Sequence, residues 1–184
     1  MELVPEFSIG LWNGWWFSLI YLIVNQGIPF FRKGTHKRLF TPANPHKTLW
    51  EAINYYISWV AWIGSVFYPV FVPINTGTVY FYAGTCIYLA GMALNAIALW
   101  NYVTTPLDQP IVKGLYRFSR NPIYIIYNFT WYGVGLALGS WLLIILHTIE
   151  VIACHIITLS EERYCLQKYG REYQDYMTKV PRYF

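Results

Sequence analysis

The sequence predicts an all-α fold, a polytopic bundle of about five transmembrane helices with a cytosolic C-terminal helix. Of the 184 residues, 56% are hydrophobic and only 12% are charged, whereas a soluble domain has about 25% charged residues. The apolar residues form runs long enough to cross a bilayer, and the basic residues fall only in some of the segments between these runs. Aromatic residues reach 20%, which is typical of rings at membrane interfaces.

Candidate spans follow from the roughly 20 mostly apolar residues that cross the hydrocarbon. The first three are predicted at 7–31, 49–72 and 79–103. The apolar region 123–159 is too long for one helix, and glycines near its middle predict a tight hairpin between spans four and five. Residues 161–179 are predicted to form the cytosolic helix. The segment 40–47 contains Pro42 and Pro45 and is predicted to be a loop.

The distribution of charge predicts the topology. All 13 Lys and Arg residues fall on one side of the five-span arrangement. The N-terminal segment and the turns at 73–78 and 135–140 contain none. Because basic loops face the cytoplasm, the N-terminus is expected outside and the C-terminus inside.

The polar segment 104–121, which ends next to Arg120, is the first candidate site. Pro122 suits the first turn of a helix, and a helix N-terminus carries partial positive charge and free N–H groups. Together with Arg120 it would suit a carboxylate or a phosphate, and Gly114 would allow a ligand close to the backbone. Alternatively, Arg117 and Arg120 only anchor the chain at the membrane interface.

The fifth predicted span has a polar face, because steps of three and four place residues on one side of a helix. These residues are His147, Glu150, Cys154, Thr158 and Glu161. A glutamate inside a membrane is costly and marks a functional site by default, so Glu150, His147 and Asn95 form a candidate substrate site. Equally, Glu150 bonds Asn95 or His147 only to hold helices together. The spacing of His147 and His155 argues against a metal site.

Glu161 and Glu162 lie at the predicted boundary between membrane and cytosol. Two acids there would accept hydrogen bonds from ribose hydroxyls, bind an ammonium group or act as a general base. Negative charge at a helix C-terminus is unfavourable, so the pair predicts either a new helix or a compensating ligand. The alternative is a solvated junction in which the pair is matched by Arg163 or Arg120.

Several short motifs occur in a fixed order. They are GLY at 114–116, RNPIY at 120–124, the acidic pair, YGREYQDY at 169–176 and VP at 180–181. This order resembles the isoprenylcysteine carboxyl methyltransferase family, and the phospholipid methyltransferases are similar. The resemblance covers about residues 104–181, and the first three spans are similar only in hydropathy.

The resemblance implies a membrane enzyme that transfers a methyl group from S-adenosylmethionine to a lipid, prenylated or other lipophilic substrate at the cytosolic face. The length and the apolar runs predict a single integral membrane domain, 1–184, with three spans in 1–103, and the resemblance implies that the cofactor-binding region lies in 104–184. The residues implied to line the cofactor pocket are Val112, Lys113, Gly114, Tyr116, Arg120, Asn121, Pro122, Tyr124, Glu161 and Glu162. Of these, Glu161, Glu162 and Arg120 are the implied catalytic residues.

The chemistry of a sulfonium agrees with this assignment. An electron-rich wall of aromatic rings and carboxylates attracts a cation, and Tyr116, Tyr124 and the acidic pair are expected to supply it. Methyl transfer from a sulfonium needs alignment and exclusion of water more than a strong acid.

Two departures from the carboxyl methyltransferases concern the methyl acceptor. Ile157 replaces an arginine that is taken to hold the substrate carboxylate, and Asn121 replaces the histidine of the RHPxY pattern. Both weaken the case for a prenylcysteine carboxylate and leave an amine, hydroxyl or thiol open. Two other functions also stay open: an NADPH-dependent membrane reductase resembling the sterol reductases, and a non-enzymatic lipid-binding subunit. No nucleic-acid partner is expected, and the oligomeric state is left open.

Overall fold

The computed structural model describes residues 1–40 and 48–183, and within these ranges its regular structure is helical. Its α-helices are α1 (Trp15–Phe30), α2 (Thr35–Phe40), α3 (Leu49–Phe67), α4 (Val79–Val103), α5 (Pro122–Ala137), α6 (Trp141–Tyr169) and α7 (Arg171–Lys179). Two 3₁₀ turns cover Tyr68–Phe71 and Gly114–Arg117. The predicted all-α class is confirmed. The predicted loop at 40–47 lies outside the described residues, except for Phe40, which ends α2.

Helices α1, α3, α4, α5 and α6 correspond to the five predicted spans. Two of them, α4 and α6, combine the length and the apolar composition that a membrane span requires. The five-span arrangement and its orientation stay predictions. The first span was predicted from residue 7, but helix α1 begins only at Trp15. The reason is that this segment pairs with another part of the chain: the backbone N–H groups of Ser8 and Gly14 donate to Phe71 and Val72.

The predicted hairpin between spans four and five is confirmed. Its turn lies at 138–140, where Gly139 has φ +64° and the Ser140 hydroxyl accepts a hydrogen bond from the N–H of Leu143. The other glycines of this region have a different role. A Cβ on Gly133 of α5 would lie 2.7 Å from the backbone nitrogen of Tyr88, so Gly133 lets α4 and α5 pack backbone to backbone.

The C-terminal helix begins later than predicted. Helix α6 runs without interruption through residue 161 to Tyr169, because no helix-breaking residue occurs before Gly170, which has φ +56° and ends it. Helix α7 then packs back through Tyr173, Tyr176 and Val180. The acidic pair therefore lies inside a helix, two turns before its end, and not at the unfavourable pole of the helix dipole.

Candidate cofactor and substrate site

A cavity of about 700 Å³ runs through the helix bundle, which is within the usual range for ligand pockets. We define its outer end by the lining residues Tyr116, Arg120, Tyr124, Glu161 and Glu162. We define its inner end by the lining residues Ser58, Asn95, Tyr127, Glu150 and Cys154. Because eleven residues of one helix separate Glu150 from Glu161, the two ends lie about 16 Å apart.

Glu162 is a fully compensated carboxylate at the outer end, with only 3% of its surface exposed. Arg120 donates to both of its oxygens, from Nε at 3.0 Å and from Nη2 at 3.3 Å. Asn121 Nδ2 donates at 3.0 Å, and Arg182 donates from Nε at 3.0 Å and lies within 2.9 Å through Nη2. The bond to Glu162 raises the pKa of Arg182.

Arg120 also ties the C-terminal segment to the start of α5. Its Nη1 donates to the carbonyl oxygens of Met177 and Val180, at 3.0 and 3.1 Å. With the two bonds to Glu162, four of the five N–H groups of the guanidinium are used within the protein. The backbone N–H of Arg120 donates to Pro181. Arg120 is thus a clamp between α5, α6 and the segment after α7.

The predicted partners of the acidic pair are confirmed in part. Arg120 pairs with Glu162, but Arg163 pairs with Glu51 of α3. The expectation of a solvated junction is wrong for Glu162, because the clamp buries it.

Glu161 differs from its neighbour. Its Oε1 accepts a hydrogen bond from the hydroxyl of Tyr124 at 2.8 Å, and both side chains line the cavity. Among the described residues, no Lys or Arg lies within ion-pair distance of Glu161. Within the described ranges, this carboxylate therefore faces the cavity without a countercharge.

Tyrosines form much of the wall around Glu161. Tyr116, Tyr173 and Tyr176 line the cavity, and the Tyr176 hydroxyl donates to the Tyr116 carbonyl oxygen at 2.5 Å. Burial raises the pKa of Tyr116 well above its usual value and also raises that of Tyr176. These phenols therefore stay neutral at physiological pH.

The inner end contains a second buried carboxylate, Glu150, with 2% of its surface exposed. It accepts hydrogen bonds from the hydroxyls of Tyr127, at 3.0 Å, and Ser58, at 3.4 Å. His147 Nδ1 lies 3.2 Å from Glu150 Oε2, and His147 Nε2 lies 2.7 Å from the Ser65 hydroxyl. The partners come from α3, α5 and α6, so Glu150 joins three helices.

The predicted contact of Glu150 with His147 is thus confirmed, whereas Asn95 is not recorded as a partner of Glu150. Asn95 is 2% exposed and lines the cavity. Its Nδ2 has no hydrogen-bond partner among the described residues. His147 is fully buried behind Glu150 and is not among the lining residues.

Four of the predicted cofactor residues do not line the cavity. The cavity lining does not include Val112, Lys113, Gly114 or Pro122. Gly114 has φ +59°, and a Cβ there would lie 2.2 Å from the side chain of Asn101. The glycine thus makes room for Asn101, a different role from the predicted close approach of a ligand. Pro122 occupies the first turn of α5, as predicted.

Sequence reasoning missed the contribution of α2 to the outer end. Arg38 lines the cavity, donates to the Tyr169 hydroxyl at 3.2 Å, and lies 4.9 Å from the ring centre of Tyr102. Lys37 and Lys168 also line the cavity. No local pattern in the sequence shows that α2 folds over the cavity.

Comparison with known proteins agrees with the motifs. A family model described as phospholipid methyltransferase matches residues 72–172, which is more than half of the 184 residues. The match includes α4, so the view that the first three spans are similar only in hydropathy is wrong for the third. No curated protein and no solved structure gives a significant match. The chain belongs to the phospholipid methyltransferase family.

Proposed function

We propose that this protein transfers a methyl group from S-adenosylmethionine to a lipophilic acceptor at the cytosolic face of a membrane. The family transfers methyl groups to lipid-like substrates, which favours this reaction over a nicotinamide-dependent reduction and over a purely structural role. The observation that supports the cofactor most is Glu161, a carboxylate that faces a tyrosine-lined cavity without a countercharge.

The outer end fits a sulfonium and an ammonium group. Glu161 attracts either cation, and the ring faces of Tyr116, Tyr124 and Tyr173 add cation–π attraction. When bound, S-adenosylmethionine supplies the methyl group. Tyr124 orients the Glu161 carboxylate by donating to Oε1.

Glu162, Arg120 and Asn121 act differently in this proposal. Their mutual hydrogen bonds fix the start of α5 against α6 and α7, so they position the wall of the pocket. Val112, Lys113, Gly114 and Pro122 support that wall from behind. The role implied for Glu162 and Arg120 by the resemblance thereby becomes one of positioning.

The proposed orientation follows from the charges around the cavity. Basic side chains of α2 and α6, Lys37, Arg38 and Lys168, lie at the outer end, and basic residues favour the cytoplasmic side. We place the outer end in the cytosol and the inner end within the bilayer, in a five-span arrangement with the N-terminus outside. A lipophilic acceptor then enters from the bilayer.

Calorimetric titration of the purified protein in detergent with S-adenosylmethionine tests the cofactor. Glu161→Gln removes the charge at constant shape, and we expect it to weaken binding by about tenfold or more, since hydrogen bonds and contacts to charged groups contribute about 1.5–3 kcal/mol. Glu172→Gln, on the exposed face of α7, is the matched control and should bind as the wild type does. Binding of NADPH with no binding of S-adenosylmethionine would contradict the proposal.

A further inference from the structure

We infer that the inner end of the cavity is a binding site for the hydroxyl group of a lipophilic alcohol. In this site Glu150 accepts a hydrogen bond from the hydroxyl, and Asn95 donates a hydrogen bond to the hydroxyl oxygen. Only the role of that alcohol as the methyl acceptor depends on the proposed function; its binding does not.

Asn95 and Glu150 lie at the same level of the bundle. Helices α4 and α5 run antiparallel in close contact. A Cβ on Gly84 would lie 2.2 Å from the nitrogen of Ala137, and a Cβ on Gly91 would lie 2.3 Å from Thr130 Oγ1. Four residues after Gly91, on the same helix face, Asn95 is level with Tyr127. The Tyr127 hydroxyl in turn donates to Glu150.

Glu150 has hydrogen-bonding capacity left for a ligand. A carboxylate offers about four lone-pair positions, and its hydroxyl partners are Tyr127 and the more distant Ser58 at 3.4 Å. No Lys or Arg of the described part of the chain lies within ion-pair distance. His147, whose other nitrogen lies 2.7 Å from the Ser65 hydroxyl, packs beside the carboxylate, with Nδ1 3.2 Å from Oε2.

Asn95 lacks a hydrogen-bond acceptor for its side-chain amide. Its Nδ2 is a buried donor without a recorded partner, and such a group costs about 1–3 kcal/mol when it is left unsatisfied. A hydroxyl both donates and accepts, so one hydroxyl satisfies Glu150 and Asn95 together. An ammonium group donates only and would leave the Nδ2 donor of Asn95 without an acceptor.

The surroundings require that the hydroxyl belong to an apolar molecule. The inner end is walled by aromatic side chains from α1 and α3, namely Tyr21, Tyr55, Trp59 and Trp62. Both α4 and α6 have the composition of membrane spans. An apolar body with a single hydroxyl matches this combination of an aromatic wall and two buried polar groups.

Quenching of tryptophan fluorescence tests the site, because Trp59 and Trp62 line it. The purified chain in lipid nanodiscs is titrated with ω-bromoundecanol, with bromoundecane lacking the hydroxyl, and with ω-bromoundecylamine. We expect saturable quenching by the alcohol at concentrations about tenfold lower than for the other two probes. Cofactor is absent, so the result does not depend on the outer end.

Substitutions of Glu150 and Asn95 test whether these two side chains bind the alcohol. Glu150→Gln should weaken binding of the alcohol by about tenfold, and Asn95→Leu, which is nearly isosteric, by about threefold to tenfold. Glu172→Gln is the exposed control and should leave binding unchanged. If Glu150→Gln does not yield a monodisperse protein, Asn95→Leu and Tyr127→Phe decide the question.

Equal quenching by the alcohol and by bromoundecane, unaffected by these variants, would overturn the inference. Stronger binding of the amine than of the alcohol, insensitive to Asn95→Leu, would overturn it in favour of a cation site. Failure of the proposed function would appear separately, as absence of S-adenosylmethionine binding in a protein that still binds the alcohol.

Discussion

Glu162 and Glu150 are buried to the same extent, 3% and 2% exposed, yet their surroundings are opposite. Glu162 is held by two guanidinium groups and an amide. Glu150 accepts hydrogen bonds from two hydroxyls and lies 3.2 Å from an imidazole nitrogen, with no arginine or lysine of the described residues at ion-pair distance. Burial alone therefore does not distinguish the two carboxylates; the presence or absence of a countercharge does.

The largest loss of stability is expected when the Arg120 clamp is removed. Arg120→Ala leaves Glu162 buried with half of its countercharge and frees the carbonyls of Met177 and Val180. Breaking a buried ion pair from one side costs about 3–5 kcal/mol. We expect a loss of this size in the free energy of unfolding, measured by chemical denaturation in detergent.

Arg117→Ala is the matched control for the clamp. Arg117 is exposed, and no hydrogen bond of its side chain is recorded within the described residues, so its removal should leave the unfolding free energy unchanged. An equal effect of both substitutions would show that the region responds to lost charge in general and not to the clamp.

A smaller loss of stability is expected when a neutral hydrogen-bond donor is removed at the inner end. Tyr127→Phe removes the hydroxyl that donates to Glu150 at 3.0 Å and leaves a buried acceptor with one partner fewer. The expected loss is about 1–3 kcal/mol. A loss as large as that of Arg120→Ala would place Glu150, like Glu162, in a structural role.

The smallest effect on stability is expected from Glu150→Gln. The substitution removes a buried carboxylate that no Lys or Arg of the described residues neutralises, which offsets the weaker hydrogen bonds to Tyr127 and Ser58. We expect the unfolding free energy to change by about 1 kcal/mol or less, measured by the same denaturation. The corresponding Glu162→Gln should cost several times more, and the reverse order would contradict the distinction between the two carboxylates.

What the sequence predicted well depends on local spacing. Glu150 and His147 are three residues apart on one helix, so their contact follows from helical geometry. Small residues are typical of close contacts between membrane helices, and a Cβ on Gly84 or Gly91 of α4 would clash with α5. Gly139 and Ser140 marked the hairpin turn for the same local reasons.

What the sequence did not predict depends on contacts between distant segments. Arg182 reaches Glu162 and Arg38 reaches Tyr169 only because α2 and α7 fold over the same end of the bundle. No periodicity connects such positions. The continuation of α6 past Glu161 was missed because the change from apolar to charged residues indicated a boundary, although charged residues continue a helix readily.

Transfer of label from S-adenosylmethionine carrying a tritiated methyl group into lipid tests the central claim most directly. The purified protein, reconstituted with a total lipid extract of the expression host, is compared with Glu161→Gln and Glu172→Gln. We predict label in the organic phase with the wild type and Glu172→Gln, and about tenfold less or none with Glu161→Gln. A folded wild-type protein that binds S-adenosylmethionine but labels no lipid, or a Glu161→Gln protein that labels as fast as the wild type, would contradict the account.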